Sequence, residues 1–304
     1  ILMHFMLQYF GKAGWKMKSI YVVMHHRKDN IEGLACQLVR ALTEAGITVF
    51  AEPWLFHRLE HRKDITLVQG NPTYCEAVLS VGGDGTFLRA NTIAVAYGLP
   101  ILGINLGTVG FLAEVEWEQL AEACHSLAME EYNIRARMML SATLESFTDD
   151  SQKSWYALND VVLSRGRYSR LISVNAAVNG QDVGRFIADG LIVSTPTGST
   201  GYSLSAGGPI VHPDVECILL TPICAHSLQH RPVVAAPDHH VELMLDETYT
   251  TRGVQCSVDG QEVMTLQPGE RLLVTRAPFD AMLIETQPQS FFTTIRLKLA
   301  EWSR

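Results

Sequence analysis

Residues Glu76 to Val81, EAVLSV, run without interruption into Gly82-Gly83-Asp84-Gly85-Thr86, and a helical pattern takes over from about Phe87 to Tyr97. An apolar run, then a cluster of glycines, then a helix reads as a strand, a tight turn and a crossover helix. The same alternation recurs on either side. Upstream, Ser19 to Met24 (SIYVVM) reads as a buried strand. Asp29-Asn30 then precedes Ile31, Leu34, Ala35, Leu38, Val39 and Leu42 on one helical face, with Gly46 closing the helix, and Ile47 to Phe50 (ITVF) gives the next strand. Downstream, Leu99 to Asn105 forms a strand that ends in Leu106-Gly107-Thr108-Val109-Gly110-Phe111, before a helix over Trp117 to Met129. Strands and helices alternating at this spacing imply βαβ units and a parallel sheet, whose ligands sit at the carboxyl ends of the strands. Both glycine-rich turns occupy such an end.

The character changes near residue 130. Arg135 to Leu144, Trp155 to Leu163, Ser173 to Val178, Leu191 to Thr195, Val241 to Leu245, Val254 to Asp259 and Arg271 to Arg276 alternate as half-buried strands do. Asn179-Gly180, Asp259-Gly260 and Pro268-Gly269 punctuate them as turns. This half reads as antiparallel β, a sandwich being one arrangement. The expected organisation is an extension or disordered segment at 1–16, an α/β domain at 17–130, a β domain at 131–285, and a C-terminal segment at 286–304. The amphipathic Phe291 to Trp302 of that last segment is expected to pack back on the α/β domain.

The turn at Gly82–Thr86 carries the first chemical signal. Glycines let a ligand approach the main chain, and amides at the start of a helix favour phosphate. An acid among phosphate donors is out of place unless Asp84 faces a hydroxyl to be deprotonated or a bound Mg²⁺; the plainer reading is a helix cap. No G-x-G-x-x-G follows the first strand, where His25-His26-Arg27 stand, and no P-loop is present. The second signal is Asp189 to Pro209, DGLIVSTPTGSTGYSLSAGGP: a strand leading into hydroxyls and glycines around Tyr202, suited to a flat ring or a sugar. His226 and His230 have the i,i+4 spacing of a metal pair but no H-E-x-x-H acid, and read as packing or loop histidines. Arg165, Arg167 and Arg170 make a small basic cluster, read either as a solvated hairpin edge or as a phosphate contact.

GGDGT, Leu158-Asn159-Asp160 and DGLIVSTPTGSTGYSLSAGGPI resemble the NAD kinase family, and Ile104 to Leu112 and Asp259-Gly260-Gln261 match further family segments in the same order. The resemblance implies an α/β N-terminal domain with a Rossmann-like parallel sheet, an antiparallel β-sandwich C-terminal domain, and an active site between them. It implies transfer of a phosphoryl group from ATP or polyphosphate to the adenosine 2′-hydroxyl of NAD, with Mg²⁺. Asp84 takes the place of the family's general base, and Gly82, Gly83, Gly85 and Thr86 surround it. Asn159 and Asp160 resemble the pair that holds NAD. Asp189 resembles the acid on the nicotinamide side, and Thr200, Gly201, Tyr202, Ser203, Leu204 and Ser205 a further dinucleotide segment. Arg89, Arg170 and Gln261 fall at binding positions of some members. Ile187 departs from the polar, basic or glycine residues that many members place before the acid, in the region tied to donor choice and to NAD against NADH.

Composition narrows the alternatives. The 304 residues are 47% hydrophobic and 18% charged, enough for sizeable cores and two domains, and the formal charge is -8. A net acidic chain disfavours a general nucleic-acid binder, so anionic substrates must be met by local donors. Six cysteines without a C-x-x-C pair read as reduced thiols of a cytoplasmic protein. No apolar run reaches the ~18 residues of a membrane helix, and Ile1 to Phe10 lacks the marks of a signal peptide. The expected partners are NAD and ATP alone, in a homodimer or homotetramer. The competing readings are a lipid kinase of the diacylglycerol or sphingosine type, which shares GGDGT, and a dinucleotide-binding regulator that does no chemistry. The hydroxyl-rich segment opposes the first, and an intact Asp84 opposes the second.

Overall fold

The computed structural model describes residues 16–26, 28–107, 110–113, 115–145, 153–166, 170–227, 229–287 and 290–302. The sequence expectations for 1–15, Arg27, Thr108, Val109 and Arg167 fall outside these. The chain divides into two compact units, Ile1–Ala136 with Ala281–Arg304, and Arg137–Asp280.

The first unit is built on one sheet. Its core strands are β1 (Ser19–Met24), β2 (Thr48–Ala51), β3 (Val68–Gln69), β4 (Ala77–Gly82) and β5 (Ile101–Asn105), with β6 (Val115–Glu116) beside β5. The order is β3-β2-β1-β4-β5, and every one of these pairs is parallel. The fully buried strands β4 and β5, and β1 beyond Ser19, are near-continuous apolar runs, as a sheet covered on both faces requires. Helices α1 (Ile31–Glu44), α2 (Pro53–Leu59), α3 (Asp84–Tyr97) and α4 (Leu120–Met129) make or follow the crossovers. α1 buries Ile31, Ala35, Leu38, Val39 and Leu42, five of the six residues the spacing selects, and Gly98 ends α3 in the left-handed region. The sheet is completed by β7 (Asn133–Arg137) and by a strand from the far end of the chain, Ala281–Glu285, which lies between β5 and β7 and runs parallel to β5.

The second unit holds two six-stranded antiparallel sheets. One contains β8 (Leu140–Glu145), β9 (Lys153–Ala157), β11 (Ile172–Val178), β12 (Gln181–Ala188), β16 (Val241–Leu245) and β19 (Arg271–Arg276). The other contains β10 (Asp160–Ser164), β13 (Gly190–Ser194), β14 (Ile218–Ile223), β15 (Val233–Ala235), β17 (Val254–Val258) and β18 (Gln261–Leu266). One core joins them: Leu140, Val174, Leu243 and Leu272 from the first pack with Val161, Leu191, Leu220 and Cys256 from the second. That is a β-sandwich. With the strand Ala281–Glu285 numbered β20, the chain closes on helix α6 (Phe291–Trp302) in the first unit, after the one-turn α5 (Tyr202–Ser205) in the second.

Arg135 to Leu144, expected as one strand, is two. It breaks at Met138-Met139, and its halves β7 and β8 belong to different units. Trp155 to Leu163 likewise breaks at Leu158-Asn159 into β9 and β10.

Candidate active site

In the first unit the sheet order reverses between β1 and β4, and a crevice opens at the carboxyl ends of such strands. A cleft of about 490 Å³ lies there. His25, His26 and Lys28 follow β1; Gly82, Gly83, Gly85, Thr86 and Arg89 end β4 and open α3; Asn105, Leu106 and Gly107 end β5. Main-chain bonds from His25 N to the Val81 carbonyl (3.0 Å) and from Leu106 N to the Gly82 carbonyl (3.1 Å) tie the three strand ends together. Gly83, in extended conformation, precedes α3, and Asp84 is its first residue rather than its cap.

Asp84, between the lining glycines Gly83 and Gly85, turns its carboxylate toward Phe111 and Leu112 in the turn after β5. Its two carboxylate oxygens accept from the amides of Phe111 (3.1 Å) and Leu112 (3.2 Å). The approach is possible only because residue 110 is glycine: a Cβ there would overlap Asp84 Oδ1 and stand 2.9 Å from Cγ. Lys298 of α6 places its ammonium over the Phe111 ring, 5.0 Å from the centroid. Asp84 is thus half-exposed, anchored on its far side, and flanked by two glycines that line the cleft.

The cleft is basic despite the acidic chain. Arg89 is ion-paired with Glu52 and donates to the Met24 carbonyl (2.8 Å), while Trp54 Nε1 donates to the same Glu52 (3.0 Å) and its ring meets His26 edge-on. The Lys28 ammonium donates to the Leu106 carbonyl. Asn105 bridges Gly107 N, Gly107 O and Glu116 Oε2, closing the turn after β5. Among these, Lys28, His25, Glu52 and Asn105 had no role in the sequence reading. The signal for them is topological, since each follows or ends a parallel strand at its carboxyl end.

In the second unit, Asn159 immediately precedes β10 and Asp160 begins it, opposite Ser194 at the end of β13 and Thr195 just beyond it. Asn159 Oδ1 is buried with no hydrogen-bond partner among the described residues. Gly198 packs against its backbone so closely that a Cβ would overlap the Asn159 carbonyl. Gly201 is near both side chains: a Cβ there would stand 3.6 Å from Asn159 Nδ2 and 4.0 Å from Asp160 Oδ2. The Asp160 carboxyl is buried next to Asp259, and burial first, then the Asp259 charge, push its pKa up to about 7. The 3-10 turn Thr197–Thr200 and α5 follow. In them Thr200 Oγ1 donates to the Thr197 carbonyl (3.1 Å), and Ser203 Oγ shares a hydrogen bond with Thr221 Oγ1 (2.9 Å), so those hydroxyls serve the fold. Tyr202 and Ser205 are exposed and Leu204 half-buried.

Other sequence-selected residues lie at the opposite end of the β10–β13 pair. Asp189 precedes Gly190, which pairs with Ser164. Asp160 to Ser164 spans five residues, about 13 Å of strand. Asp189 is ion-paired with Arg165 (2.6 Å). Ile187, half-buried on β12, has its carbonyl bonded by His226 N (2.9 Å); Arg170 is exposed. Gln261 is exposed at the start of β18, next to the Asp259-Gly260 turn. His230 packs its ring on Phe186, with centroids 4.7 Å apart.

Comparison with known proteins shows the family to which the chain belongs. Residues 20–132 match the model of the ATP-NAD kinase N-terminal domain, and residues 158–286 that of the ATP-NAD kinase C-terminal domain. The chain is 38% identical to the NAD kinase of Lachnoclostridium phytofermentans over 94% of its own length and all of that protein. It is 41% identical to the NAD kinase of Desulforamulus reducens over 75% of its length and 78% of that protein. Its fold superposes on an Archaeoglobus fulgidus NAD kinase solved in complex with ATP, with TM-score 0.68 and 25% identity, covering 91% of this chain and 98% of that one. It also superposes on yeast NADH kinase complexed with NADH, with TM-score 0.84 and 24% identity, covering 94% and 88%.

Proposed function

The chain belongs to the NAD kinase family and is a phosphotransferase acting on NAD with ATP, and on that premise we propose how its residues divide the reaction. Asp84 is the general base. It accepts the proton of the adenosine 2′-hydroxyl as that oxygen bonds to the transferred phosphorus and the donor's bridging oxygen departs. The observation that carries this is the anchoring of Asp84: both oxygens rest on the Phe111 and Leu112 amides, between two glycines of the cleft lining. Such anchoring fixes the carboxylate's direction and leaves its outer lone pairs for a proton.

The amides of Gly83 and Gly85, with Lys28 and Arg89, offer donors and positive charge to phosphate oxygens in the same cleft. Among the described residues no three of His, Cys, Asp or Glu cluster as a metal cage. Mg²⁺ keeps several waters and needs few protein ligands; Asp84 would be the carboxylate to hold it. When bound, the ion would neutralise charge on the phosphoryl oxygens.

Asn159 and Asp160 hold the dinucleotide by hydrogen bonds, a reading supported by the buried Asn159 Oδ1, which has no hydrogen-bond partner among the described residues. Asp189, one strand length away, takes the nicotinamide end. Thr200 to Ser205, Ile187, Arg170 and Gln261 complete the dinucleotide contacts in this reading. Six cysteines outside any disulfide support a reducing, cytoplasmic setting, and exposed Ile210, Val215 and Val234 support self-association into a homodimer or homotetramer.

The test is Asp84→Asn, assayed for NADP from NAD, ATP and Mg²⁺. NAD binding persists while kcat falls by ~10²-fold or more. A kcat near that of the parent refutes the base assignment.

A further inference from the structure

Leu158, Asn159 and Asp160 carry six backbone polar groups, and two distant residues satisfy all six. The Asp259 carboxylate accepts from the amides of Leu158 (2.8 Å), Asn159 (2.8 Å) and Asp160 (3.2 Å), and Asp259 N donates to the Asp160 carbonyl (3.0 Å). Thr195 takes the remainder: its Oγ1 donates to the Leu158 carbonyl (2.6 Å) and its amide to the Asn159 carbonyl (2.9 Å). Asp259 (φ 48) and Gly260 (φ 75) are both left-handed, the two-residue turn that joins β17 to β18. That conformation leaves Asp259 at a hairpin tip with its carboxylate turned back onto three amides. A carboxylate is the only side chain that offers acceptors alone to three converging N–H donors.

We propose that Asp259 is a positioning residue for dinucleotide binding, acting through the Leu158–Asp160 backbone to hold the unpartnered Asn159 Oδ1 and the Asp160 carboxyl where the ligand meets them. The proposal rests on the reading of Asn159 and Asp160 as dinucleotide contacts. Thr195 is its second half, clamping the same three residues from the carbonyl side. Asparagine at 259 keeps the volume but turns an N–H₂ toward amide donors, so the turn must shift. It also removes the negative charge beside Asp160. The other residues facing Asp160, namely Ser194, Thr195 and Gly201, are uncharged, so Asp160 then ionises at lower pH.

The test is steady-state kinetics of the full chain with NAD and ATP varied separately, for Asp259→Asn, Thr195→Val, Thr195→Ser and Asn159→Ala. Asp259→Asn and Thr195→Val raise KM for NAD about tenfold, the scale of one lost hydrogen bond to a charged or buried group. KM for ATP stays within about twofold, and Thr195→Ser, which keeps the hydroxyl, behaves as the parent. The pH at which KM for NAD changes moves to lower pH in Asp259→Asn but not in Thr195→Val. An unchanged KM for NAD in Asp259→Asn, or an equal rise in both KM values, overturns the positioning role. Should Asp259→Asn fail to fold, the Thr195→Val and Thr195→Ser pair decides by the same criteria. An unchanged KM for NAD in Asn159→Ala overturns the dinucleotide reading beneath it; a rise there with none in Asp259→Asn overturns positioning alone.

Discussion

Asp160 is a buried acid that a proton or a bound ligand relieves. Its pKa in the folded chain is about 7, against an ordinary 3.8, because burial and the Asp259 charge both oppose ionisation. A raised carboxyl pKa means that the folded state binds the proton more tightly. The group's favourable contribution is complete below about pH 4 and is lost as pH rises through 7. Asp160→Asn is therefore expected to be more stable than the parent at pH 8, by on the order of 2–4 kcal/mol, and to lose that advantage toward pH 4. Paired denaturant titrations at the two pH values check this; an advantage that does not change with pH places the proton elsewhere. Residues of this kind differ in how far a sequence reveals them. Asp84 stands out in the sequence because an acid is unusual among glycines whose amides favour phosphate. Its anchors Phe111 and Leu112 lie 27 and 28 positions away, and Asp259 lies about a hundred from the backbone it holds. No local spacing encodes such contacts.

At the scale of elements, the turn after β5 and the start of α3 act as one part. Gly110 is the contact point, and Gly110→Ala drives a methyl into Asp84 Oδ1. A displacement near 1 Å at a catalytic group costs ~10²-fold, so kcat is expected to fall by about that factor with the thermal midpoint little changed. Circular dichroism melts beside kinetics separate this from unfolding, and a parent-like kcat would show that the turn yields instead. Binary patterning made α1, β16, β19 and α6 legible, since one apolar period decides each of them, and β1 was legible as a short apolar, β-branched run. It says nothing of which sheet a strand joins, so the break at Met138-Met139 passed unread. β14 escaped for a different reason. Pro222 within ILLTPI argues against an interior strand. Yet β15 pairs only with Ile218, Leu219 and Leu220, so Pro222 lies past its end and no donor is missed on that side.

The whole molecule is an α/β unit with a sandwich inserted in its sequence. The chain leaves the first sheet through β7 and comes back beside it as β20. Adjacent entry and exit points are what a tolerated insertion requires. Joining Ala136 to Ala281 through a short Gly/Ser linker is expected to yield a folded α/β protein that melts cooperatively and makes no NADP. A non-cooperative melt with dye binding would show instead that the insert is needed for the fold. The sequence announced two kinds of domain through a change of period near residue 130. It did not announce the return, because AMLIE reads like any strand of the sandwich.

That return has a consequence during synthesis. A ribosome that has made the chain through residue 280 has delivered a contiguous sandwich, able to collapse on its own. The older unit still lacks the strand that separates β5 from β7, so the edge of β5 not covered by β6 stands open and β7 has no neighbour. The part emerging first is completed last, and through that interval its unpaired edge is exposed to other nascent chains.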